Sequence, residues 1–281
     1  MERTVYLNGE FLPENRAKLS IFDRSVLFAD AVYEVTCVIG GQLLDFMAHM
    51  ERLKSSLSKL DMRYTVDTDR LLDAHRRLVA GNGIVNGVIY LQVSRGAVDR
   101  DFRYSNDPEP TVFAFTQPLP RNPLETLERR LKLIAVPEGR WNRLDIKTTQ
   151  LLYSSLAKTQ ALEAGADDAV YLKDGRVTEA TASNFFIVTH DDKLVTCPLD
   201  GSILAGITRS LFLKVARENG IAVEERTFTL EEACEAQGAF ITSATNFGTP
   251  VTQIDGRTIS DGPGALLTRL HRLYVENVPR L

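Results

Sequence analysis

Arg143-Leu-Asp-Ile-Lys147-Thr-Thr149, then Val177-Thr-Glu179-Ala-Thr-Ala-Ser-Asn184, then Gly206-Ile-Thr-Arg209 are the stretches whose reading decides the fold. In the first, an extended segment gives way to a helical pattern. The second ends a hairpin strand announced by the turn signal Asp174-Gly175. The third opens a helix. Short strands with helices gathered around them make the α+β class rather than a parallel sheet with crossovers.

Working outward supports that class. Toward the N-terminus, Asn8-Gly9 marks a tight hairpin, and Gly40-Gly41 joins Val32–Ile39 to Gln42–Leu44. Phe46, Met47, Met50, Leu53, Leu57 and Leu60 recur at helical spacing, with Arg52 off the apolar stripe. A second helix is predicted over 69–80, then strands over 88–94 and 111–115, separated by a charged loop, 95–110. Toward the C-terminus, the pattern gives a strand over 131–136, a helix over 148–164 closed by Gly165, strands between 168 and 196, and a helix over 208–219. Strands near 223–227, 240–242 and 251–254 precede a last amphipathic helix, 264–277. The proline-dense run from Gln117 to Pro123 resists helix and sheet alike. It divides the chain into a small N-terminal α/β domain (1–117), an interdomain linker (118–123) and a larger C-terminal domain (124–281).

The bulk numbers exclude several functions. At 281 residues, a prior of about 150 residues per domain allows two domains. A net charge of −4 lacks the basic footprint of a nucleic-acid binder. Cys37, Cys197 and Cys234 are scattered and odd in number, so no disulfide framework or zinc site is indicated. His49, His75, His190 and His271 also lack metal-ligand spacing, and no metal is expected. No leader pattern and no apolar run of about 20 residues is visible, which points to a cytoplasmic protein without a membrane span.

Three chemical groups remain. A lysine can form a Schiff base with a carbonyl, a carboxylate facing a pyridine nitrogen keeps it protonated, and a helix start offers N–H groups to a phosphate. Taken singly, Lys147, Glu179 and Gly206–Arg209 have ordinary explanations: a solvated charge, a turn carboxylate, a plain N-cap with Thr208 as its hydroxyl. Together they suit a bound pyridoxal 5'-phosphate. The small run Ala180–Ser183 would let a flat ring approach the backbone, Thr242–Asn246 adds a second hydroxyl-rich turn, and the fork of Arg52 suits a phosphate.

In order and spacing these segments resemble the fold-type IV pyridoxal-phosphate aminotransferases, and among them the D-amino-acid transaminases. The matching motifs are Asp23–Val35 (DRSVLFADAVYEV), His49–Leu53 (HMERL), Tyr90–Gly96 (YLQVSRG), Asp145–Lys147, Val177–Glu179, Ser183-Asn184, Gly206–Arg209 and Thr242–Thr245. The resemblance implies a two-domain fold with a pseudo-barrel C-terminal domain, and a homodimer. It implies Lys147 as the Schiff-base lysine and proton shuttle, and Glu179 as the partner of the ring nitrogen. Arg52, Ile207, Thr208 and Ala244 would hold the phosphate, Leu204 would pack on the ring face, and Ser183 would add a cofactor contact.

On the substrate side, the resemblance makes Tyr33 and Arg100 binders of the α-carboxylate. The activity implied is exchange of an amino group between a D-amino acid, such as D-alanine or D-glutamate, and 2-oxoglutarate or pyruvate. Phe102 stands where these transaminases carry a histidine, with Arg103 or Arg24 as candidates to compensate. Ala31 stands where glycine is usual. These departures leave open a branched-chain (L-) aminotransferase, an (R)-amine transaminase and, further off, an aminodeoxychorismate lyase.

Overall fold

The structure, a computed structural model, describes residues 2–105 and 107–281. Asn106, inside the predicted 95–110 loop, lies outside them. The chain forms two compact units.

The first unit takes the chain up to Asn122 together with Ile146–Gln150 and Pro279–Leu281. Its elements are β1 (Thr4–Leu7), β2 (Glu10–Pro13), α1 (Arg24–Phe28), β3 (Ala31–Ile39), β4 (Gln42–Leu43), α2 (Phe46–Lys59), α3 (Thr68–Gly81), β5 (Gly87–Ser94) and β6 (Thr111–Pro118). One antiparallel sheet runs β2-β1-β6-β5-β3-β4. Left-handed Asn8 (φ 49°) and Gly9 (φ 100°) make the β1–β2 turn. Residues alternate across β3. Val32, Glu34 and Thr36 are buried toward α2, and Tyr33 lies on the other face, its ring stacked on Tyr90.

The second unit comprises Pro123–Asp145 and Leu151–Val278. It holds β7 (Leu131–Pro137), α4 (Leu152–Glu163), β8 (Asp168–Lys173), β9 (Arg176–Ala180), β10 (Asn184–Val188), β11 (Leu194–Thr196), α5 (Ile207–Glu218), β12 (Val223–Glu225), α6 (Leu230–Cys234), β13 (Gly238–Ser243), β14 (Asn246–Ile254), β15 (Arg257–Thr258) and α7 (Gly264–Asn277). Strands β10-β13-β14-β7-β8-β9 follow one another, and β9 pairs back to β10 through Glu179 and Asn184. That pairing closes a six-stranded ring, the pseudo-barrel, with no free edge along it. Phe185, Ile187, Val170, Val177, Ile241 and Val251 fill a core cluster. The molecule is therefore a two-domain α+β protein.

Three expectations need correction. The helix predicted over 148–164 begins at Leu152. Thr148 and Thr149 stay extended along β3, with Thr149 N–H donating to the Ala31 carbonyl at 3.1 Å, because β-branched residues gain more from pairing there than from a helix start. Pro118, placed in the linker, is the last residue of β6. Ile146–Gln150 and Pro279–Leu281 were assigned by chain order to the C-terminal domain, yet they pack in the first unit; Leu43 and Leu281 exchange both backbone hydrogen bonds.

Candidate active site

The predicted residues gather in two clusters, one in each unit. In the first, the extended segment carrying Lys147 lies along β3. Tyr33 N–H donates to the Lys147 carbonyl at 3.0 Å, and Lys147 N–H reaches the Ser56 hydroxyl of α2 at 3.4 Å. Buried Ile146 anchors the segment. The Lys147 Nζ sits 4.3 Å from the centre of the Tyr33 ring.

Arg52 lies one helical turn before Ser56 on α2. Its Nε and Nη2 donate to the two oxygens of Glu34 at 2.8 and 2.7 Å, and His49 Nδ1 meets the same carboxylate at 2.7 Å. Burial alone would raise the Glu34 pKa, but the Arg52 and His49 contacts hold it down, to about 2. Neither Glu34 nor His49 was singled out by sequence as a partner for Arg52. The signal existed only as a motif pair, Tyr-Glu-Val and His-Met-Glu-Arg, whose contact requires strand and helix to be packed.

Arg100 and Phe102 lie on an exposed loop of the same unit. The Arg100 guanidinium carbon is 5.1 Å from the Phe102 ring centre and 5.5 Å from that of Phe28. Two aromatic rings thus flank the cation where a histidine was expected. The proposed substitutes for that histidine are otherwise engaged. Arg24 is buried, bonded to Asp30 at 2.7 Å and to the Asp101 carbonyl at 2.8 Å. Arg103, almost fully exposed, pairs with Asp101 two residues away. Ala31 is fully buried and has no left-handed backbone, so the missing glycine costs nothing there.

In the second cluster, Glu179 ends β9 with its side chain buried. Its Oε1 accepts from Arg140 Nη1 at 2.8 Å; its Oε2 accepts from Asn184 Nδ2 at 3.0 Å and from the Leu204 N–H at 3.2 Å. Burial pushes the Glu179 pKa up, against the pull of Arg140. Arg140 also grips Glu138 with two bonds, at 2.9 and 2.6 Å, and lies over the Tyr171 ring. Sequence reading missed Arg140 and Asn184 as partners of Glu179, although Asn184 stands in one of the matching motifs.

Asn184 ties this carboxylate to the start of α5. Its Nδ2 also donates to the Leu204 carbonyl at 2.8 Å, and a Cβ on Gly206 would fall 2.0 Å from its Oδ1, so only glycine fits. Gly206, not Thr208, is the N-cap of α5, and no side chain caps the first N–H groups of that helix. The Thr208 hydroxyl instead donates to the Ser243 carbonyl at 3.0 Å. Asn246 Nδ2 bridges the Ser243 and Ser183 hydroxyls at 3.1 and 3.5 Å. Ala244 sits in this β13–β14 turn. Glu179, Asn184 and Leu204 thus share one set of hydrogen bonds, and Thr208, Ser243, Asn246 and Ser183 another, joined where Ser183 precedes Asn184 in the chain. Arg209, by contrast, turns inward to Glu225 and the Cys197 carbonyl and serves the core.

The family pattern described as amino-transferase class IV matches residues 31–254, a span that includes both clusters. The chain belongs to that family. As a class IV aminotransferase it is 36% identical over 268 residues to a D-alanine aminotransferase of Staphylococcus epidermidis, covering 94% of each chain. To the D-alanine aminotransferase of Bacillus licheniformis it is 35% identical over 273 residues, covering 97% of this aminotransferase and 96% of that one. In fold it is similar to the branched-chain amino acid aminotransferase of Escherichia coli, with a TM-score of 0.88 at 23% identity, covering 99% of this chain and 95% of that one. Among the described residues of the enzyme no group of side chains could hold a metal ion, and no helix is long and apolar enough to cross a membrane.

Proposed function

We propose that this aminotransferase uses pyridoxal 5'-phosphate to exchange an amino group between a D-amino acid, such as D-alanine or D-glutamate, and a 2-oxo acid, 2-oxoglutarate or pyruvate. The observation that carries the reading is the 34–36% identity to D-alanine aminotransferases of Staphylococcus epidermidis and Staphylococcus aureus over 94% of both chains.

The residues present fit the cofactor. The uncapped start of α5, beside a turn of small and hydroxyl-bearing residues, suits a phosphate. The buried Glu179 carboxylate suits a protonated ring nitrogen, and the basicity that burial confers strengthens it as an acceptor. When bound, the cofactor supplies an aldehyde and an electron-withdrawing ring that acidifies the substrate's α-C–H bond.

Ile207 and Ala244 N–H groups and the start of α5 at Thr208 would hold the phosphate, and the family resemblance adds the Arg52 fork. Leu204 and Ser183 would contact the ring, and Glu179 would keep the proton on its nitrogen. The Lys147 amine would hold the cofactor's aldehyde carbon, and its Nζ would carry the substrate's α-proton as base and acid in turn. Tyr33 and Arg100 bind the substrate carboxylate, with Phe28 and Phe102 steadying the Arg100 cation.

We further infer a homodimer working in the cytoplasm. Ile21, Phe22, Val26 and Phe102 of the first unit are large apolar side chains left exposed, which a second copy would cover. The three cysteines are buried and unpaired, in keeping with a reducing compartment. Light scattering on the purified protein tests the dimer, and a monomer at micromolar concentration would refute it.

A substrate panel tests the activity. D-alanine with 2-oxoglutarate should yield pyruvate, and the visible absorbance of the yellow protein should bleach on adding the D-amino acid alone. Reaction confined to L-leucine or to (R)-1-phenylethylamine would assign the enzyme to the branched-chain or amine transaminases instead.

A further inference from the structure

The geometry points to Glu34 and His49 as positioning residues for Arg52, fixing its guanidinium so that it meets the cofactor phosphate in one orientation. The inference rests on the proposed phosphate role of Arg52 and adds what makes that role possible.

A free arginine is a poor fixed contact, because its side chain carries about 2 kcal/mol of rotamer entropy. Here two of its five donors, on the Nε–Nη2 edge, are gripped by one carboxylate at 2.8 and 2.7 Å. That grip fixes the plane of the fork and directs its Nη1 end away from Glu34. The carboxylate is itself held: it projects from the helix-facing side of β3, it is 1% exposed, and His49 Nδ1 meets one oxygen at 2.7 Å. His49 and Arg52 are three residues apart on α2, so a single acid from the sheet clamps two side chains on one face of the helix. With its pKa held to about 2, the acid stays ionised throughout the working range of the enzyme.

The arrangement contains a conflict, and the conflict makes it testable. A permanent anion near a phosphate repels it, so Glu34 weakens phosphate binding through charge while strengthening it through orientation. A mere tie between helix and sheet would leave only the repulsion. The sign of the change on neutralising Glu34 therefore decides the matter.

The experiment uses full-length protein stripped of cofactor. It measures Kd for pyridoxal 5'-phosphate and for inorganic phosphate as a competitor, the melting temperature, and the phosphorus-31 resonance of the reconstituted holoenzyme. Glu34→Gln keeps one oxygen for Arg52 Nε and offers its amide to His49, losing only the second arm of the grip. Both Kd values should rise about tenfold or more, the effect of one charge-assisted hydrogen bond, and the phosphorus resonance should move. Arg52→Lys should weaken both ligands at least as much, and the double variant should be no worse than Arg52→Lys alone.

Unchanged or tighter phosphate binding by Glu34→Gln, with only the melting temperature lowered, would overturn the inference while leaving the role of Arg52 intact. Unchanged binding by Arg52→Lys would instead overturn the phosphate role proposed above, and this inference with it. Should Glu34→Gln fail to fold, His49 decides. His49→Ala should raise the phosphate Kd several-fold, and His49→Asn, whose Nδ2 can replace Nδ1, should recover most of the loss; equal loss in both would overturn the inference.

Discussion

The two clusters are built with opposite polarity. In the first unit an acid is gripped between two basic side chains, Glu34 between Arg52 and His49. In the second, a base is gripped between two acids, Arg140 between Glu138 and Glu179. In both, the residue at the centre is buried, and an outer residue is the one proposed to face the cofactor. The first trio carries the residue proposed to meet the phosphate, Arg52, and the second the residue proposed to meet the ring nitrogen, Glu179. Each of Arg52 and Glu179 is thus held by an opposite charge behind it, which restricts its motion.

Removing a working residue should separate chemistry from stability. Lys147→Ala should cut kcat by 10³-fold or more, since amine and proton shuttle go together. Its melting temperature should move by only a degree or two, because the ties to Tyr33 and Ser56 run through the main chain. A steady-state assay paired with thermal melts checks both halves, and a large drop in melting temperature would show that the amine carries structural load.

Removing a central residue should do the reverse. Arg140→Leu leaves Glu138 and Glu179 facing each other without their cation, at a cost of about 3–5 kcal/mol. Urea denaturation measures it. A loss below about 1 kcal/mol would mean that the second trio is solvated and that its likeness to the first is only formal.

Acid provides a smaller, separate probe of the first unit. His75 is fully buried, its Nδ1 donating to the Leu71 carbonyl at 2.7 Å and its Nε2 without a partner, and burial lowers its pKa to about 4. Because the folded pKa lies below the unfolded value of about 6.5, the unfolded chain binds the extra proton between those limits. Stability therefore falls as pH drops through 6.5 toward 4, by about 2 kcal/mol between pH 7 and pH 5 from this group. His75→Leu should flatten that slope in denaturant titrations at the two pH values, whereas an unaltered slope would assign the acid sensitivity elsewhere.

The smallest effect concerns the substituted histidine position. Phe102→Ala should raise KM for D-alanine about two- to fivefold, the worth of one exposed cation–π contact. No change in KM would detach the aromatic flank from the role of Arg100.

The sequence revealed most of the elements and one outer residue of each trio, Arg52 and Glu179, but not their centres or the second outer residues, His49 and Glu138. Phe46–Lys59 and Gly264–Asn277 were legible from apolar spacing, and the Asn8-Gly9 turn from its own chemistry. Lys147, Glu179 and Arg52 stood out because their side chains have specific uses. Glu34 and Arg140 did not, because the contacts that tie them to Arg52 and Glu179, 18 and 39 residues away, exist only after packing. The cap of α5 was misplaced by two residues because Thr208 resembles a cap, while the actual N-cap, Gly206, packs against the Asn184 amide, a neighbour distant in sequence. Short α1 and α6 also went unseen: with only five residues each, they carry no apolar period, only the caps Asp23 and Thr229.

The five-residue excursion at Ile146–Gln150 has a consequence for how such a protein can be altered. The chain leaves the second unit at Asp145, lays the lysine along β3, and returns at Leu151. A single genetic crossover near the proline-rich joint would therefore import one parent's lysine segment against another parent's β3. Chimeras of this enzyme should tolerate recombination only when residues 146–150 and the last three residues travel with the N-terminal piece.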